Sequence, residues 1–285
     1  MTIHEVLPRR ARLLLIGGAE DPDESHMAIL PHLVKAAGGT SARVVVCSSP
    51  SEEAGEKADT YVALFRKLGV KEAIPAPITE RGPADSREMV DVMRRATAVF
   101  FTGGDQLRLT WLIAGTEMCE VIRERLYRDG LVVAGTSAGA AALSSVMIIG
   151  GREGGTVRRR DVELTPGFGY WRETVVDTHF DQRGRVNRLL TIAAQNPQVL
   201  GVGIDENTAI DVVLGRAFTV LGEGAVIVFN GRVTHTSAPA ASADDSLAVT
   251  DATVHVLPRG YGFDLASGRP ILPDGTRVPR HMPAQ

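Results

Sequence analysis

The chain has few of the features that mark secreted, membrane-spanning or nucleic-acid-binding proteins. Its 285 residues include only two cysteines, Cys47 and Cys119, which cannot form a disulfide framework. No apolar run approaches the ~18 residues that span a bilayer. The 31 basic and 34 acidic side chains nearly balance, so the basic surplus of a nucleic-acid-binding protein is absent. We therefore expect neither a membrane nor a nucleic acid as partner.

The N-terminus resembles a secretory signal only in part. Arg9 and Arg10 precede a short apolar stretch, but Glu20 and Asp21 interrupt it. A signal peptide needs a longer apolar core, so a buried first strand is the better interpretation. We predict a cytoplasmic protein without a structural metal, in which both cysteines are buried free thiols.

What the sequence does contain is the composition of a globular domain, with 44% hydrophobic and 23% charged residues. Its first half alternates short apolar runs with longer amphipathic segments. The runs predict strands at Leu13–Ile16, Ala42–Cys47, Ala98–Phe101 and Leu131–Ala134, and the segments predict helices at His26–Ala37, Ser51–Leu68, Asp85–Arg95 and Thr116–Arg128. This alternation predicts an α/β fold with an open, mostly parallel sheet and helices on both faces. Ligands of such sheets bind beyond the carboxyl ends of the strands.

The second half has a different pattern, with one helix and then short strands. The helix is predicted at Arg185–Gln195, and the extra C-terminal strands at Val199–Ile204, Ala209–Leu214, Ala217–Leu221 and Ala225–Phe229. The proline-rich segment near the end of the sequence predicts a loosely packed tail. We therefore expect one domain over 1–285, with residues 1–11 and 266–285 loosely packed.

The segment Gly135-Thr136-Ser137-Ala138-Gly139 carries the clearest chemical signal. It lies between a predicted strand and a predicted helix, which is the context of a nucleophile elbow with the pattern G-x-S-x-G. A tight turn there exposes the serine oxygen, and small neighbours let the backbone pass. The sequence therefore favours nucleophilic catalysis by Ser137 over a simple glycine-rich helix start.

A nucleophilic serine needs a base and a group that orients the base. His179 follows the apolar run Thr174–Val176, and a histidine at the carboxyl end of a strand is expected at the same rim as Ser137. Asp205 and Glu206 follow another predicted strand. Adjacent side chains there point to opposite sides, so at most one of the two carboxylates can face His179. From the residues alone, a structural histidine and a solvated turn remain open.

Five segments together resemble the serine peptidase family that includes cyanophycinase and aspartyl dipeptidase. They are LIGGAED at 15–21, FTGGDQ at 101–106, GTSAGAA at 135–141, DTHFDQRGRVNRL at 177–189 and GIDENTA at 203–209. The resemblance runs from about residue 12 to residue 230. It implies a fold like the class I glutamine amidotransferase domain, which is flavodoxin-like, a homodimer, and catalysis by Ser137, His179 and Glu206.

Further site residues follow from the same segments. Gly104 and Ala138 are expected to supply the amides of an oxyanion hole, because both follow strands that end at one edge. Gln106 carries an amide suited to a substrate backbone. Arg183, Arg185 and Arg188 cluster at a helix start, where they could clamp a carboxylate. By resemblance, Asp177 and these arginines shape the substrate pocket.

The resemblance implies a serine-type exopeptidase that hydrolyses cyanophycin, a polyaspartate with arginine on each side-chain carboxyl, to β-Asp-Arg dipeptides without a cofactor. The position before the catalytic histidine is often glutamine in this family and is Thr178 here. This difference leaves open an isoaspartyl or aspartyl dipeptidase that acts on small peptides.

Two readings outside this family also remain. One is an α/β-hydrolase esterase that uses Ser137 with His235 or His255 as base and Asp205 or Asp211 as acid. The other is a binding protein that has lost its chemistry, although all three proposed catalytic groups are present.

Overall fold

A computed structural model describes residues 11–21, 23, 26–151, 153–230 and 235–279 of the chain. The strands are β1 Arg12–Ile16, β2 Arg43–Cys47, β3 Glu72–Ala76, β4 Ala98–Phe101, β5 Val132–Thr136, β6 Val146–Gly151, β7 Val162–Pro166, β8 Thr174–Thr178, β9 Leu200–Ile204, β10 Thr208–Val213, β11 Ala217–Gly222, β12 Ala225–Asn230, β13 His235–Thr236, β14 Val249–Thr250, β15 Thr253–Pro258, β16 Gly262–Asp264 and β17 Arg269–Ile271. The helices are α1 Ile29–Ala36, α2 Ala54–Lys67, α3 Arg81–Ala84, α4 Arg87–Arg95, α5 Gln106–Ile113, α6 Glu117–Arg128, α7 Ala138–Ala142 and α8 Val186–Gln195.

The main sheet has nine strands in the order β17-β16-β11-β10-β1-β5-β4-β2-β3. Its first-half strands, β1 to β5, pair in parallel, as the sequence predicts. The other strands of this sheet are antiparallel to their neighbours. Strand β10 pairs with β1, and the edge is then extended by β11, β16 and β17 in turn. The predicted α/β class with additional C-terminal strands is confirmed.

Helices cover both faces of the parallel half. Alternate strand residues point to opposite faces, so Leu14 and Ile16 pack with α1 and α2. Leu13 and Leu15 belong to the other core, which includes residues of α4, α5 and α6. Both faces are therefore buried, which accounts for the unbroken apolar runs of these strands.

A second, smaller sheet has the order β15-β12-β9-β8, so the strand β8 that precedes His179 is not part of the nine-stranded sheet. Strands β8 and β9 are parallel, with Thr178 opposite Ile204. Their carboxyl ends therefore lie side by side, so the residues that follow them lie close together. Helix α8 packs against this sheet through Leu189 and Ile192.

The sequence misses elements that lack a strong periodic signal, among them β3, α5, the hairpin of β6 and β7, and the strands from β15 onward. Strand β17 lies within residues 266–285, so the expectation of loose packing is wrong for Arg269–Ile271, which pair with β16. Residues 1–10 and 280–285 lie outside the described part of the chain.

Candidate active site

Ser137 occupies a strained turn between β5 and α7. Its φ and ψ are 51° and −117°, a conformation that residues other than glycine rarely adopt. The Ser137 amide donates to the Ile16 carbonyl over 2.9 Å, which ties the turn to β1. A Cβ atom at Gly139 would overlap the Phe101 carbonyl, and one at Gly135 would overlap the backbone of Gly139. The glycines therefore allow the close backbone packing that holds Ser137 in this turn.

His179 follows β8 and faces Ser137. Its Nε2 lies 2.7 Å from Ser137 Oγ. The His179 backbone is also left-handed, with φ 49°, and its amide donates to the Gly17 carbonyl over 2.9 Å. The end of β1 thus holds the turns of both residues, because the consecutive carbonyls of Ile16 and Gly17 accept the Ser137 and His179 amides.

Glu206 completes the hydrogen-bonded chain. Its Oε1 lies 2.6 Å from His179 Nδ1, and the Glu206 amide donates to the Gln182 side chain over 2.9 Å. The neighbouring Asp205 turns away, since its two oxygens accept from the amides of Asp181 and Ala225, each over 3.0 Å. Of the two adjacent carboxylates, Glu206 is therefore the one that faces the imidazole.

Gly18 lies directly against the His179 ring. A Cβ at this position would overlap the imidazole atoms Cε1 and Nε2, and the Gly18 φ of +105° is itself unfavourable for a side chain. Only glycine lets the imidazole take its present position between Ser137 and Glu206.

We expect Gly18→Ala to lower kcat by about 100-fold or more, because a displacement of the base by about 1 Å costs that much. Steady-state peptide hydrolysis measures the effect. Gly39→Ala is the matched control, since Gly39 has φ +65° and a Cβ added there would have no other atom within 4 Å. An equal fall in kcat in the two variants would contradict this prediction, because it would attribute the fall to backbone strain and not to contact with His179.

Gly104 and Ala138, the residues predicted to form an oxyanion hole, both lie close to Ser137. Gly104 lines a cavity of about 330 Å³ together with Ser137 and His179, and Ala138 is the residue after Ser137. A side chain at Gly104 would overlap the Pro50 carbonyl. Within the described residues, neither the Gly104 amide nor the Ala138 amide donates to a backbone carbonyl. Neither amide is therefore occupied by a backbone acceptor there, which is what an oxyanion hole requires of its donors, and the role stays a prediction.

The expected carboxylate clamp is turned inward. Arg188 Nε lies 3.0 Å from Asp177 Oδ2, and Arg185 lies 3.2 Å from Asp177 Oδ1 while also donating to the Thr178 carbonyl over 2.8 Å. All four residues are buried, and none lines the cavity at Ser137. By resemblance, Asp177, Arg185 and Arg188 are expected to shape the substrate pocket. In the structure they pair with one another away from the cavity at Ser137, because a buried carboxylate needs positive partners.

Burial and neighbouring charges shift the pKa values of this cluster in opposite directions. Burial raises the pKa of Asp177, and the guanidinium groups of Arg188 and Arg185 lower it. Burial also lowers the pKa of Arg188, against the effect of Asp177. At the surface of the cluster, a hydrogen bond from Arg185 lowers the pKa of Glu153. The network is therefore a buried ion cluster that joins β8 to the start of α8.

Two other predicted binding residues also lie outside the cavity. Gln106 donates its side-chain amide to the Ile148 carbonyl on β6, over 2.6 Å. Arg183 is half exposed, with its guanidinium 3.8 Å from Glu153. A substrate would have to displace the Gln106 contact to use this amide.

Sequence reasoning missed much of the cavity wall. Glu20, Lys57, Tyr61 and Thr136 line it beside Ser137. Glu20 follows β1 at the sheet edge where ligands bind, so its position could have been found. Lys57 and Tyr61 lie one turn apart on α2, and nothing in the sequence pattern connects that helix to the site.

The esterase reading does not fit this geometry. Ser137 Oγ bonds to His179, whereas His255 lies on β15 against the Phe263 ring, with its pKa lowered by burial. Asp211 is paired with Arg12 and His32 at 2.6 and 2.7 Å. His255 and Asp211 are thus engaged elsewhere, and His235 lies on the short strand β13.

The described ranges contain neither a metal-binding cluster nor a membrane-spanning helix. No group of three or more His, Cys, Asp or Glu side chains there could hold a metal ion. No helix in those ranges is both long enough and apolar enough to cross a bilayer.

An α/β fold that brings a serine, a histidine and a glutamate into one hydrogen-bonded chain at the ends of its strands defines a serine hydrolase. The family model described as peptidase family S51 matches residues 13–220. The chain is also 35% identical over 263 residues to a cyanophycinase from Geminocystis herdmanii, covering 92% of this chain and 96% of that protein. A cyanophycinase from Nostoc sp. is 36% identical over 94% of this chain and 90% of its own length. The chain therefore belongs to peptidase family S51 and is a serine-type peptidase.

A solved structure supports the fold independently. A peptidase from an acI-B1 actinobacterium superimposes with a TM-score of 0.64, covering 89% of this chain and 96% of its own. At 20% sequence identity this match concerns the fold alone.

Proposed function

We propose that this protein is a serine-type exopeptidase that hydrolyses cyanophycin to β-Asp-Arg dipeptides through an acyl-enzyme on Ser137. The observation that carries the proposal is the hydrogen-bonded chain from Ser137 Oγ through His179 to Glu206, with links of 2.7 and 2.6 Å. Relatives that span nearly the whole chain and are named for cyanophycin support the substrate.

In the acylation step, Ser137 Oγ attacks the aspartyl carbonyl carbon and His179 Nε2 takes the hydroxyl proton. Glu206 holds the opposite ring nitrogen, which keeps the imidazole in the tautomer that can accept at Nε2 and stabilises the imidazolium that forms. The carbonyl oxygen becomes an oxyanion, which the Gly104 and Ala138 amides stabilise. The imidazolium then protonates the leaving amine as the peptide bond breaks.

In the deacylation step, a water molecule takes the place of the leaving amine. His179 removes a proton from this water, which attacks the acyl carbon, and the same amides stabilise the second oxyanion. Collapse of the intermediate returns the proton to Ser137 Oγ and releases the carboxylic acid product. The side chains of this chain thus account for every proton transfer.

The matching experiment is incubation of the purified protein with insoluble cyanophycin, followed by mass measurement of the soluble products. We expect β-Asp-Arg as the accumulating product. Cleavage of short isoaspartyl peptides without release from the polymer would instead favour a small-peptide dipeptidase, the reading that Thr178 left open. No cleavage of either substrate would contradict the proposed activity.

The proposal also covers the location, the oligomeric state and the partners of the enzyme. We expect a cytoplasmic homodimer that needs no cofactor and binds no nucleic acid. Light scattering of the purified protein tests the dimer, because a single chain has a mass of 30.4 kDa.

A further inference from the structure

Glu20 forms part of the cavity wall and is held from two sides. Tyr61 donates its phenol to Glu20 Oε1 over 2.5 Å, and the Thr136 hydroxyl donates to Oε2 over 2.6 Å. Thr136 immediately precedes Ser137, so the carboxylate is fixed next to the nucleophile's turn. Its neighbour Asp21 points away and accepts the first amides of α1. The two acidic residues after β1 thus face different surroundings.

The hydroxyl groups around Glu20 are donors. Burial and the negative charge of Glu20 raise the pKa of Tyr61, so the phenol stays protonated. A protonated phenol and a threonine hydroxyl both donate to the carboxylate and bring no positive charge to it. Glu20 is therefore oriented by neutral partners.

No cation neutralises Glu20 within the residues that the structure describes, since none of their ion pairs includes it. Lys57 lines the same cavity, but its ammonium lies over the Tyr61 ring, 5.7 Å from the ring centre. A carboxylate accepts about four hydrogen bonds, and Glu20 uses two within the protein. The remaining acceptor positions suit a donor from the cavity, and a guanidinium offers a planar pair of N–H groups that matches a carboxylate.

We propose that Glu20 binds a guanidinium group of the substrate and so makes the enzyme selective for aspartyl units that carry arginine. This inference rests on the proposed function, because it concerns recognition at the same site. Glu20 would act in specificity and not in proton transfer, since its two oxygens are held by Tyr61 and Thr136 and the proton relay runs through His179.

The experiment compares two soluble synthetic aspartyl peptides that carry arginine or citrulline on each β-carboxyl. Citrulline has the shape of arginine without its charge, and both keep the free carboxylate, so any contribution of Lys57 to carboxylate binding cancels. We expect the wild-type enzyme to prefer the arginyl peptide by about 10- to 100-fold in kcat/KM, the range that a hydrogen bond to a charged group supplies. In Glu20→Gln this ratio should fall close to one.

Glu53→Gln is the matched control. Glu53 is an exposed carboxylate two residues from Ser51 of the cavity wall, but it does not line the cavity itself. This variant should keep the wild-type ratio. Tyr61→Phe removes one anchor of Glu20 without changing its charge, so it should lower the ratio by a smaller factor, and it remains informative if Glu20→Gln does not fold.

The outcomes separate this inference from the proposed function. If the wild-type enzyme cleaves neither peptide and does not degrade cyanophycin, the proposed function fails. If it cleaves both with equal kcat/KM, or if Glu20→Gln keeps the arginyl preference, the proposed function stands and the role of Glu20 is wrong. A general fall in activity at an unchanged ratio would likewise assign Glu20 a purely structural role.

Discussion

Ser137→Ala should lower kcat on cyanophycin by about 10⁶-fold, because it removes the atom that forms the acyl-enzyme. Residual hydrolysis would come only from the oxyanion amides and from substrate binding. Release of soluble dipeptide measures the loss, and labelling by a fluorophosphonate probe measures the reactivity of the serine itself. We expect the wild-type protein to be labelled and the variant to remain unlabelled.

Ser51→Ala serves as the control, since Ser51 lines the same cavity but takes no part in the bond to His179. It should retain both labelling and activity. Groups that act as one unit have strongly non-additive effects, so the double variant Ser137→Ala/His179→Ala should be no slower than Ser137→Ala alone. A clear further loss in the double variant would mean that His179 contributes to catalysis without Ser137, which the proposed mechanism does not allow.

The second large effect concerns stability. Asp177→Asn leaves the buried guanidinium of Arg188 without its carboxylate partner and weakens the contact of Arg185. Breaking a buried ion pair on one side costs about 3–5 kcal/mol, so the free energy of unfolding should fall by about that amount. Urea denaturation followed by circular dichroism measures the change.

An exposed ion pair provides the comparison for this variant. Arg160 and Asp244 lie at the surface, with 52% and 68% of their side chains exposed. Asp244→Asn should therefore change the free energy of unfolding by less than about 1 kcal/mol. If Asp177→Asn unfolds like the wild-type protein but raises KM for cyanophycin, the cluster of Asp177, Arg185 and Arg188 binds substrate and its inward pairing is not its main role.

Local sequence was sufficient to predict the elements on which the site is built. Buried strands read as unbroken apolar runs, and the small residues around Ser137 indicate a strand–turn–helix junction, because both depend on neighbours in the chain. The four helices predicted in the first half correspond to α1, α2, α4 and α6, with their ends displaced by a few residues. Elements without such a pattern, such as α5 and β3, were missed.

The direction of charged side chains could not be predicted in the same way. Asp205 and Glu206 are adjacent and chemically alike, and the choice between them depends on the amides of Asp181 and Ala225, which occupy the first of them. The sequence shows Arg185 and Arg188 only as part of a basic cluster at a predicted helix start. They turn inward because the pairing of β8 places Asp177 beside them, and a buried carboxylate needs a positive partner.

The sequence by itself thus determined an α/β scaffold with a serine at a sharp turn, since strand, turn and helix propensities act over a few neighbours. Only the tertiary structure decided which polar groups meet. The loop after β1, helix α2 and strand β5 bring Glu20, Tyr61 and Thr136 into one cavity wall although they are far apart in the chain. That meeting follows from how the sheet and helices pack, which no local pattern encodes.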